Sequence, residues 1–281
     1  MKKKRKKLEK WSLEKHIMRD KKAFAVFVLL RVLTLGVMIR CAFLGQWESF
    51  FTCILALALM LIPPSVEKSF KIDLPTTLEI IVFVFVFCAE ILGEVSSYYV
   101  KFRFWDTALH TTSGFIFAAF GFCIVDLMNR NKNIRMDLSP VTLAVVAFCF
   151  SMTIGVLWEF FEFGADRLLH IDMQKDTIVN SIYTVSLDET KTNTVIAVKN
   201  ITDTVIHTAG GETVTINGYL DVGIIDTMKD LFVNFIGAVV FSIIGYFYIK
   251  RRGEGKIAPR FIPVLEDEQT TEPPEAGNRG E

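Results

Sequence analysis

Six apolar stretches, each close to the length of a membrane span, constrain what this chain can fold into. A helix of about 20 residues crosses a hydrocarbon core about 30 Å thick, and in lipid its backbone polar groups are satisfied within the helix. The stretches are 23–42, 47–63, 76–93, 107–128, 140–162 and 227–249. The sequence therefore predicts an all-α polytopic membrane bundle of about six transmembrane helices. The second stretch is the shortest and ends at Pro63–Pro64, so a tilted or re-entrant segment is an alternative there.

Basic residues predict which side of the membrane each loop faces. The first 22 residues contain eleven Lys or Arg against three acids, and more basic residues lie in 64–75, in 129–139 and after 249. Alternation of six helices puts all these segments on one side, and an excess of Lys and Arg marks the cytoplasmic side. We therefore expect a multi-pass protein of the cell membrane with both termini cytoplasmic. The basic arm, 1–22, is a topology signal or an amphipathic helix on anionic lipid; a nucleic-acid partner is not expected.

The segments outside the spans differ in character. Alternating apolar and polar residues on either side of Gly210–Gly211 predict a β-hairpin, and 182–185 and 194–198 predict two further strands. We expect a small β-rich extracytoplasmic insertion, 163–225, between the helices of 23–162 and the last helix, 226–249. Its role is that of a spacer or of a lid. The polar remainder, 250–281, is expected to be a disordered cytoplasmic tail.

Polar side chains recur at helical spacing near the ends of four predicted spans. The fourth and sixth spans run inward and the third and fifth outward, so these ends meet at one level if the helices are neighbours. Several carboxylates in one layer resist desolvation. Protonation, a bound cation or a basic partner such as Arg31, midway along the first span, would relieve the repulsion. The polar residues are Glu90, Asp106, His110, Glu159, Glu162, Asp226, Asp230 and Asn234.

The residue types of this layer suit a divalent metal. One imidazole with several carboxylates fits Mg²⁺, Mn²⁺ or, with fewer oxygen ligands, Zn²⁺, and a spare carboxylate would act as a base towards water activated by the metal. The hypothesis gives metal binding to Asp106, His110, Asp226 and Asp230. It gives the catalytic base to Glu159 or Glu162, and cofactor contacts to Asn234 and Arg31.

The same residues carry a resemblance to known membrane proteins. Trp105-Asp106-Thr107-Ala108-Leu109-His110, Trp158-Glu159-Phe160-Phe161-Glu162 and Asp226-Thr227-Met228-Lys229-Asp230 resemble the bacterial YjdF family, over roughly 23–250. A more distant likeness is to VanZ-like proteins, with Asp-x-x-x-His, Glu-x-x-Gln and Asp-x-x-x-Asn-x-x-Gly on successive helices. Here Asp230, Asn234 and Gly237 fit, whereas Glu162 stands where Gln is usual. VanZ-like proteins are linked to glycopeptide resistance, so this likeness implies a cell-envelope context and supplies no reaction.

Three functions follow as alternatives. The first is a metal-dependent intramembrane enzyme that acts on an envelope lipid or lipid-linked amphiphile. The second is a non-catalytic binding or structural component of the membrane. The third is a proton- or ion-coupled transporter, which the lack of evident inverted repeats and broken helices disfavours. The sequence leaves open whether the protein is an enzyme.

Overall fold

The structure, a computed structural model, describes residues 21–70, 72–130, 138–251, 258–262 and 264–265. Its backbone contacts define two compact units, Met1–Thr153 with Val233–Glu281, and Ile154–Phe232. The described residues leave out 1–20 of the predicted basic arm and 266–281 of the predicted tail.

The first unit is built from helices. In chain order the described helices are α1 (Lys21–Phe43), α2 (Trp47–Leu59), α3 (Ile62–Phe70), α4 (Thr76–Val86), a π-helix (Phe87–Val95), α5 (Tyr98–Lys101), α6 (Trp105–Arg130), α7 (Pro140–Leu169) and α8 (Ile224–Lys250). Helices α7 and α8 are each shared with the second unit. Among the described residues, five stretches are long and apolar enough to cross a membrane: Lys21–Phe43, Trp47–Ser69, Trp105–Asn129, Pro140–Leu169 and Ile224–Lys250. These stretches agree with a helical multi-pass membrane protein, and the count of six stays a prediction.

The third predicted span is helical but is built from two pieces. Helix α4 has 11 residues and the π-helix that follows has 9, so neither piece alone has the length of a span. The backbone stays helical where they join, with φ −63° and ψ −42° at Phe87. The wider π-helix changes the direction in which side chains such as Glu90 project, which a sequence pattern based on 3.6 residues per turn does not anticipate.

The second predicted span continues beyond Pro63–Pro64. Helix α2 ends at Leu59, and α3 begins at Ile62, so both prolines lie in the first turn of a new helix. Proline is tolerated there because first-turn N–H groups have no partner within the helix. The prolines therefore mark a break within Trp47–Ser69 and not its end.

The core of the first unit contains a cluster that joins α6, α7 and α8. Phe122 of α6 and Phe241 of α8 are fully buried in this cluster, and Ile262, which follows α8, is buried with them. A short strand, β8 (Val264–Leu265), pairs with β1 (Ile72–Asp73). Residues 258–265 therefore return to the bundle where they are described, which differs from the disordered tail predicted for 250–281.

The outward face of the helices is apolar as well. Leu29 and Val32 of α1 and Phe51 of α2 are more than half exposed. Soluble proteins rarely expose apolar patches of this extent, whereas a lipid-facing surface requires them.

The second unit carries the predicted strands. Strand β2 (Ile178–Val179) pairs with β7 (Tyr219–Leu220), β3 (Ser181–Thr184) with β4 (Ile196–Lys199), and β5 (Thr204–His207) with β6 (Thr213–Ile216), all antiparallel. The hairpin around Gly210–Gly211 is confirmed, with Thr204 opposite Ile216 and His207 opposite Thr213. In chain order these strands lie after α7, which ends at Leu169, and before α8, which begins at Ile224.

Candidate functional site

The first turn of α6 brings an acid and an imidazole together. Asp106 and His110 are four residues apart and lie on one face of the helix. His110 Nε2 is 3.4 Å from Asp106 Oδ1, and the two side chains are 13% and 23% exposed respectively. This carboxylate–imidazole pair confirms the association that the sequence predicted for the start of the fourth span.

Two glycines let α8 approach α6 at backbone distance. A Cβ atom added to Gly114 would lie 2.2 Å from the carbonyl oxygen of Asn234, and one added to Gly237 would lie 2.0 Å from that of Thr111. Any side chain at either glycine would overlap the backbone of the neighbouring helix. The two helices therefore touch at a point that only glycine permits, as small residues do in membrane helix pairs.

Aromatic contacts fix the direction of this helix pair. The rings of Phe115 and Phe241 are 5.2 Å apart, and those of Phe122 and Tyr248 are 6.5 Å apart. Residue numbers rise together along α6 and α8, so the helices are parallel. Asn234 of α8 thus lies at the level of Ser113 and Gly114 of α6.

Asn234 is held in the interior by both neighbouring helices. Its side chain amide is almost fully buried, its Oδ1 accepts from Ser113 Oγ at 3.4 Å, and its Nδ2 donates to Met152 Sδ at 3.5 Å. Ser113 Oγ also lies 2.9 Å from the carbonyl oxygen of His110. These contacts connect the amide to the turn of α6 that carries the imidazole.

Asp230 is one turn before Asn234 on the same unbroken helix, and it is buried. Lys229 Nζ is 3.5 Å from Asp230 Oδ1 and 3.1 Å from Asp226 Oδ1, all within the second unit. We call the pair of Asp106 and His110, in the first unit, the carboxylate–imidazole cluster.

Asp226, predicted as a further ligand, has other neighbours in the second unit. Its Oδ2 accepts the backbone N–H of Lys175 at 3.0 Å. The same short segment also donates to Asp166 from Met173 at 2.6 Å and to Asp221 from Thr177 at 2.7 Å. Carboxylates that accept backbone N–H groups satisfy buried donors and fix a loop. We call residues 173–177 the strap, and Asp226 is one of the acids that hold it.

One acid within the strap has a perturbed pKa. Burial, followed by the charges of Asp172, Asp221 and Asp166, raises the pKa of Asp176 above its usual value. The hydrogen bond from Lys175 gives Asp226 a structural contact in the second unit, and its assignment as a metal ligand stays a prediction.

Glu159 and Glu162 are buried on the part of α7 that belongs to the second unit. Glu162 Oε1 accepts from Trp158 Nε1 at 2.7 Å, one turn away on the same helix. That hydrogen bond gives Glu162 a local function at the position where the VanZ-like pattern has Gln. The assignment of a catalytic base to either residue stays a prediction.

The structure also describes Arg31 and Glu90, which the sequence predicted in or near the polar layer. The guanidinium of Arg31 lies over the ring of Phe27 at 5.1 Å, and a carboxylate partner for it stays a prediction. Glu90 is half-buried within the π-helix.

Several buried polar groups lie outside the set of residues predicted from the sequence. Glu67, Glu79 and Asp126 are almost completely buried, and Glu67 Oε1 accepts the backbone N–H of Leu74 at 2.9 Å. Ser151, also buried, donates to the carbonyl oxygen of Gly114 at 2.7 Å. Glu67 and Glu79 lie outside the predicted outer layer, so only their position beside apolar residues signals burial.

Fold and site together define a class, the multi-pass helical membrane proteins with a buried polar cluster. A family model described as "Predicted membrane protein (DUF2238)" matches residues 22–251. The chain belongs to this family of predicted membrane proteins. The match agrees with the YjdF-like resemblance, and the VanZ-like likeness stays a prediction.

One relative of known source is similar over part of the chain. It is a protein of Thermotoga maritima described as "Uncharacterized protein", 29% identical over 121 residues. The alignment spans 42% of this chain and 60% of the relative's length. No solved structure matches the chain.

Proposed function

We propose that the protein binds one divalent cation through Asp106, His110 and Asp230 and uses it to hydrolyse an envelope lipid or a lipid-linked substrate. The observation that carries the proposal is the carboxylate–imidazole cluster, in which His110 Nε2 is 3.4 Å from Asp106 Oδ1. Charged groups within membrane helices are costly and are kept where they serve a function.

The donor set suits a metal that takes both nitrogen and oxygen ligands. Zn²⁺ and Mn²⁺ accept imidazole with carboxylates, and catalytic zinc sites commonly have three protein ligands and an open position. Mg²⁺ prefers oxygen ligands only, so His110 favours the first two metals. When bound, such a cation supplies Lewis-acid chemistry to a carbonyl or phosphoryl group.

The residues around the cluster would position it. Asn234 adjoins Ser113, whose hydroxyl contacts the carbonyl of His110, so the amide supports the turn that presents the imidazole. Glu159 or Glu162 is our candidate for the base that takes a proton from water. Arg31 is retained as a candidate contact to the cofactor or substrate.

Membership of a membrane-protein family supports a substrate that resides in the bilayer. The VanZ-like order of Asp106 and His110, Asp230 and Asn234, and Gly237 supports an envelope context. With the orientation predicted from the basic loops, both termini would be cytoplasmic and the cluster would lie near the outer face of the cell membrane.

A non-catalytic binding or structural function is the competing candidate. The observation that favours it is the hydrogen bonding of Asn234, whose amide is engaged by Ser113 and Met152 without any ligand. In this alternative the polar layer fixes the packing of α6, α7 and α8. It predicts that no metal copurifies.

Elemental analysis of the detergent-purified full chain tests the proposal. We expect one Zn or Mn per chain, and we expect His110→Ala and Asp230→Asn to weaken metal binding more than about 100-fold, since outer-shell changes alone cost 10–100-fold. Asp172→Asn, an exposed acid of the second unit, is the matched control and should keep the metal.

The outcomes separate the two functions. Folded wild-type protein that holds no metal after dialysis against each ion would refute the metal site and leave the structural alternative. If the wild type binds metal but His110→Ala turns over membrane lipids as fast as the wild type does, the catalytic part of the proposal is rejected and the metal site remains.

A further inference from the structure

The loop before α6 is a compact aromatic structure. Tyr98 lies 4.6 Å from Phe102 and 4.9 Å from Trp105, measured between ring centroids. Trp105 Nε1 donates to the carbonyl oxygen of Cys88 in the π-helix at 3.3 Å. The loop is thereby attached to the π-helix. The rings of Tyr98, Phe102 and Trp105 pack against one another, and we call these three residues the aromatic wall.

A cavity of about 630 Å³ opens beside this wall. It is lined by Tyr98, Lys101, Phe102, Arg103, Phe104 and Trp105, so two cations face it and none of the six lining residues is acidic. Lys101 Nζ donates to the carbonyl oxygen of Ser96 at 2.6 Å, which uses one of its three N–H groups. The remaining donors and the fork of Arg103 suit a phosphate group.

A second cavity of about 400 Å³ begins at the same tryptophan. It lies between α4, the π-helix and α6, and Val84, Ala108 and Leu109 are among its lining residues. Its walls are almost entirely apolar. A cavity of this size with apolar walls fits a hydrocarbon chain, and Trp105 lines both cavities.

We propose that the two cavities together bind one anionic phospholipid. Its headgroup phosphate lies beside Lys101 and Arg103, and one acyl chain follows the groove past Val84 and Leu109. Lys101 and Arg103 are among the lining residues of the first cavity and select the anionic headgroup, and the apolar second cavity, which shares Trp105 with the first, selects a lipid over a free ion. Aromatic residues with Lys and Arg are common where a helix meets the headgroup region, but a groove shared between two elements is a binding site and not merely an anchor.

The lipid site adjoins the carboxylate–imidazole cluster. Trp105 and Leu109 each precede a member of the cluster by one residue, and successive helical residues point about 100° apart. The bound lipid therefore lies next to Asp106 and His110 on α6. This inference names the substrate class of the proposed function and rests on it for any catalytic meaning, whereas lipid binding itself requires no metal.

Photo-crosslinking of the full chain in phosphatidylcholine vesicles tests the lipid site. The vesicles contain either phosphatidylglycerol or phosphatidylcholine with the same photoactivatable acyl chain. We expect preferential labelling by the phosphatidylglycerol, located in the peptides around Val84 and Leu109. Lys101→Gln with Arg103→Gln should lower this labelling about tenfold, since the pair loses its charge-assisted hydrogen bonds to phosphate at a site where water competes.

A matched double variant controls for the loss of charge. Arg40→Gln with Lys191→Gln removes two exposed cations that do not line the cavities and should leave the labelling unchanged. Ala108→Phe fills the groove from an exposed position and should lower labelling by both lipids. A defect in folding would instead lower the yield of monodisperse protein in all readouts.

The contrary results are specific. Equal labelling by the two lipids, or equal loss in both double variants, would overturn the inference. Displacement of the labelled lipid by excess inorganic phosphate would show an ion site and would also overturn it. His110→Ala should lose metal and keep lipid labelling. Wild-type protein that is labelled by the lipid but holds no metal would refute the metal proposal and leave the lipid site intact.

Discussion

Alanine at the glycine contacts between α6 and α8 provides a direct test of the site's architecture. At Gly114 a new methyl carbon would lie 2.2 Å from the carbonyl oxygen of Asn234, and ordinary contacts begin at 3.4 Å. At Gly237 the distance to the carbonyl oxygen of Thr111 would be 2.0 Å. Backbone atoms cannot rotate away as a side chain does, so α8 must retreat from α6 by about 1 Å, which weakens contacts along the whole interface.

The expected cost follows from two opposing terms. Alanine in a helix interior is favoured over glycine by about 0.5–1 kcal/mol. Overpacking at a close contact costs about 1–3 kcal/mol, and more where relaxation is blocked. Because the overlap at both positions is with backbone, the second term exceeds the first, and their difference is a net loss of up to about 2.5 kcal/mol of stability for each variant.

Thermal unfolding in one detergent measures this loss. Gly36→Ala in α1 and Gly164→Ala in α7 are matched controls, because a Cβ there meets no described atom within 4 Å. The controls should match or exceed the wild-type midpoint, and Gly114→Ala and Gly237→Ala should lower it by several degrees. If Gly114→Ala were as stable as Gly36→Ala, the close contact of these two helices would be refuted.

Two predictions concern titration in the second unit and are measured by amide hydrogen exchange. Hydrogen bonds from the Thr190 hydroxyl, then from the N–H of Thr194, lower the pKa of Asp188 to about 2. The stability that ionised Asp188 contributes is therefore present above the unfolded-state pKa of about 3.9 and is lost as pH falls towards 2. Asp188→Asn should speed exchange at Thr194 at pH 7 and not at pH 2, and equal rates in variant and wild type at pH 7 would contradict this. Burial and acidic neighbours raise the pKa of Asp176, so above the unfolded-state pKa of about 3.9 the ionised carboxylate destabilises the folded strap. Asp176→Asn should therefore slow exchange in 173–177 at pH 7 and leave it unchanged at pH 3. Faster exchange in the variant at pH 7 would show that ionised Asp176 stabilises the strap, contrary to this prediction.

Sequence patterns predicted the parts of the fold that repeat a simple period. The span-length apolar stretches predicted α1, α6, α7 and α8 because a bilayer imposes a length on each helix. Alternation around Gly210–Gly211 predicted the β5–β6 pair because strand side chains alternate between two faces. The pair of Asp106 and His110 followed from their spacing of four residues within one helix.

Features that depend on contacts between distant residues were not predicted. The π-helix that carries Glu90 changes the period within a segment whose composition does not. The acids that hold the strap have the same chemistry as metal ligands, so residue type alone did not predict the hydrogen bond from the N–H of Lys175 to Asp226. Burial of Ile262 after α8 depends on packing in the cluster with Phe122 and Phe241, which a short apolar segment does not signal.

The glycines explain why a polar cluster forms at this level of the bundle. Aspartate, asparagine and serine have short side chains, so they reach across a helix pair only where the backbones approach closely. Gly114 and Gly237 provide that approach, and Ser113 and Asn234 meet beside it. Asp230 lies one turn before Asn234 on α8. The glycine positions and the polar positions are thus one structural requirement, and a larger residue at either glycine would separate Ser113 from Asn234 without changing either of them.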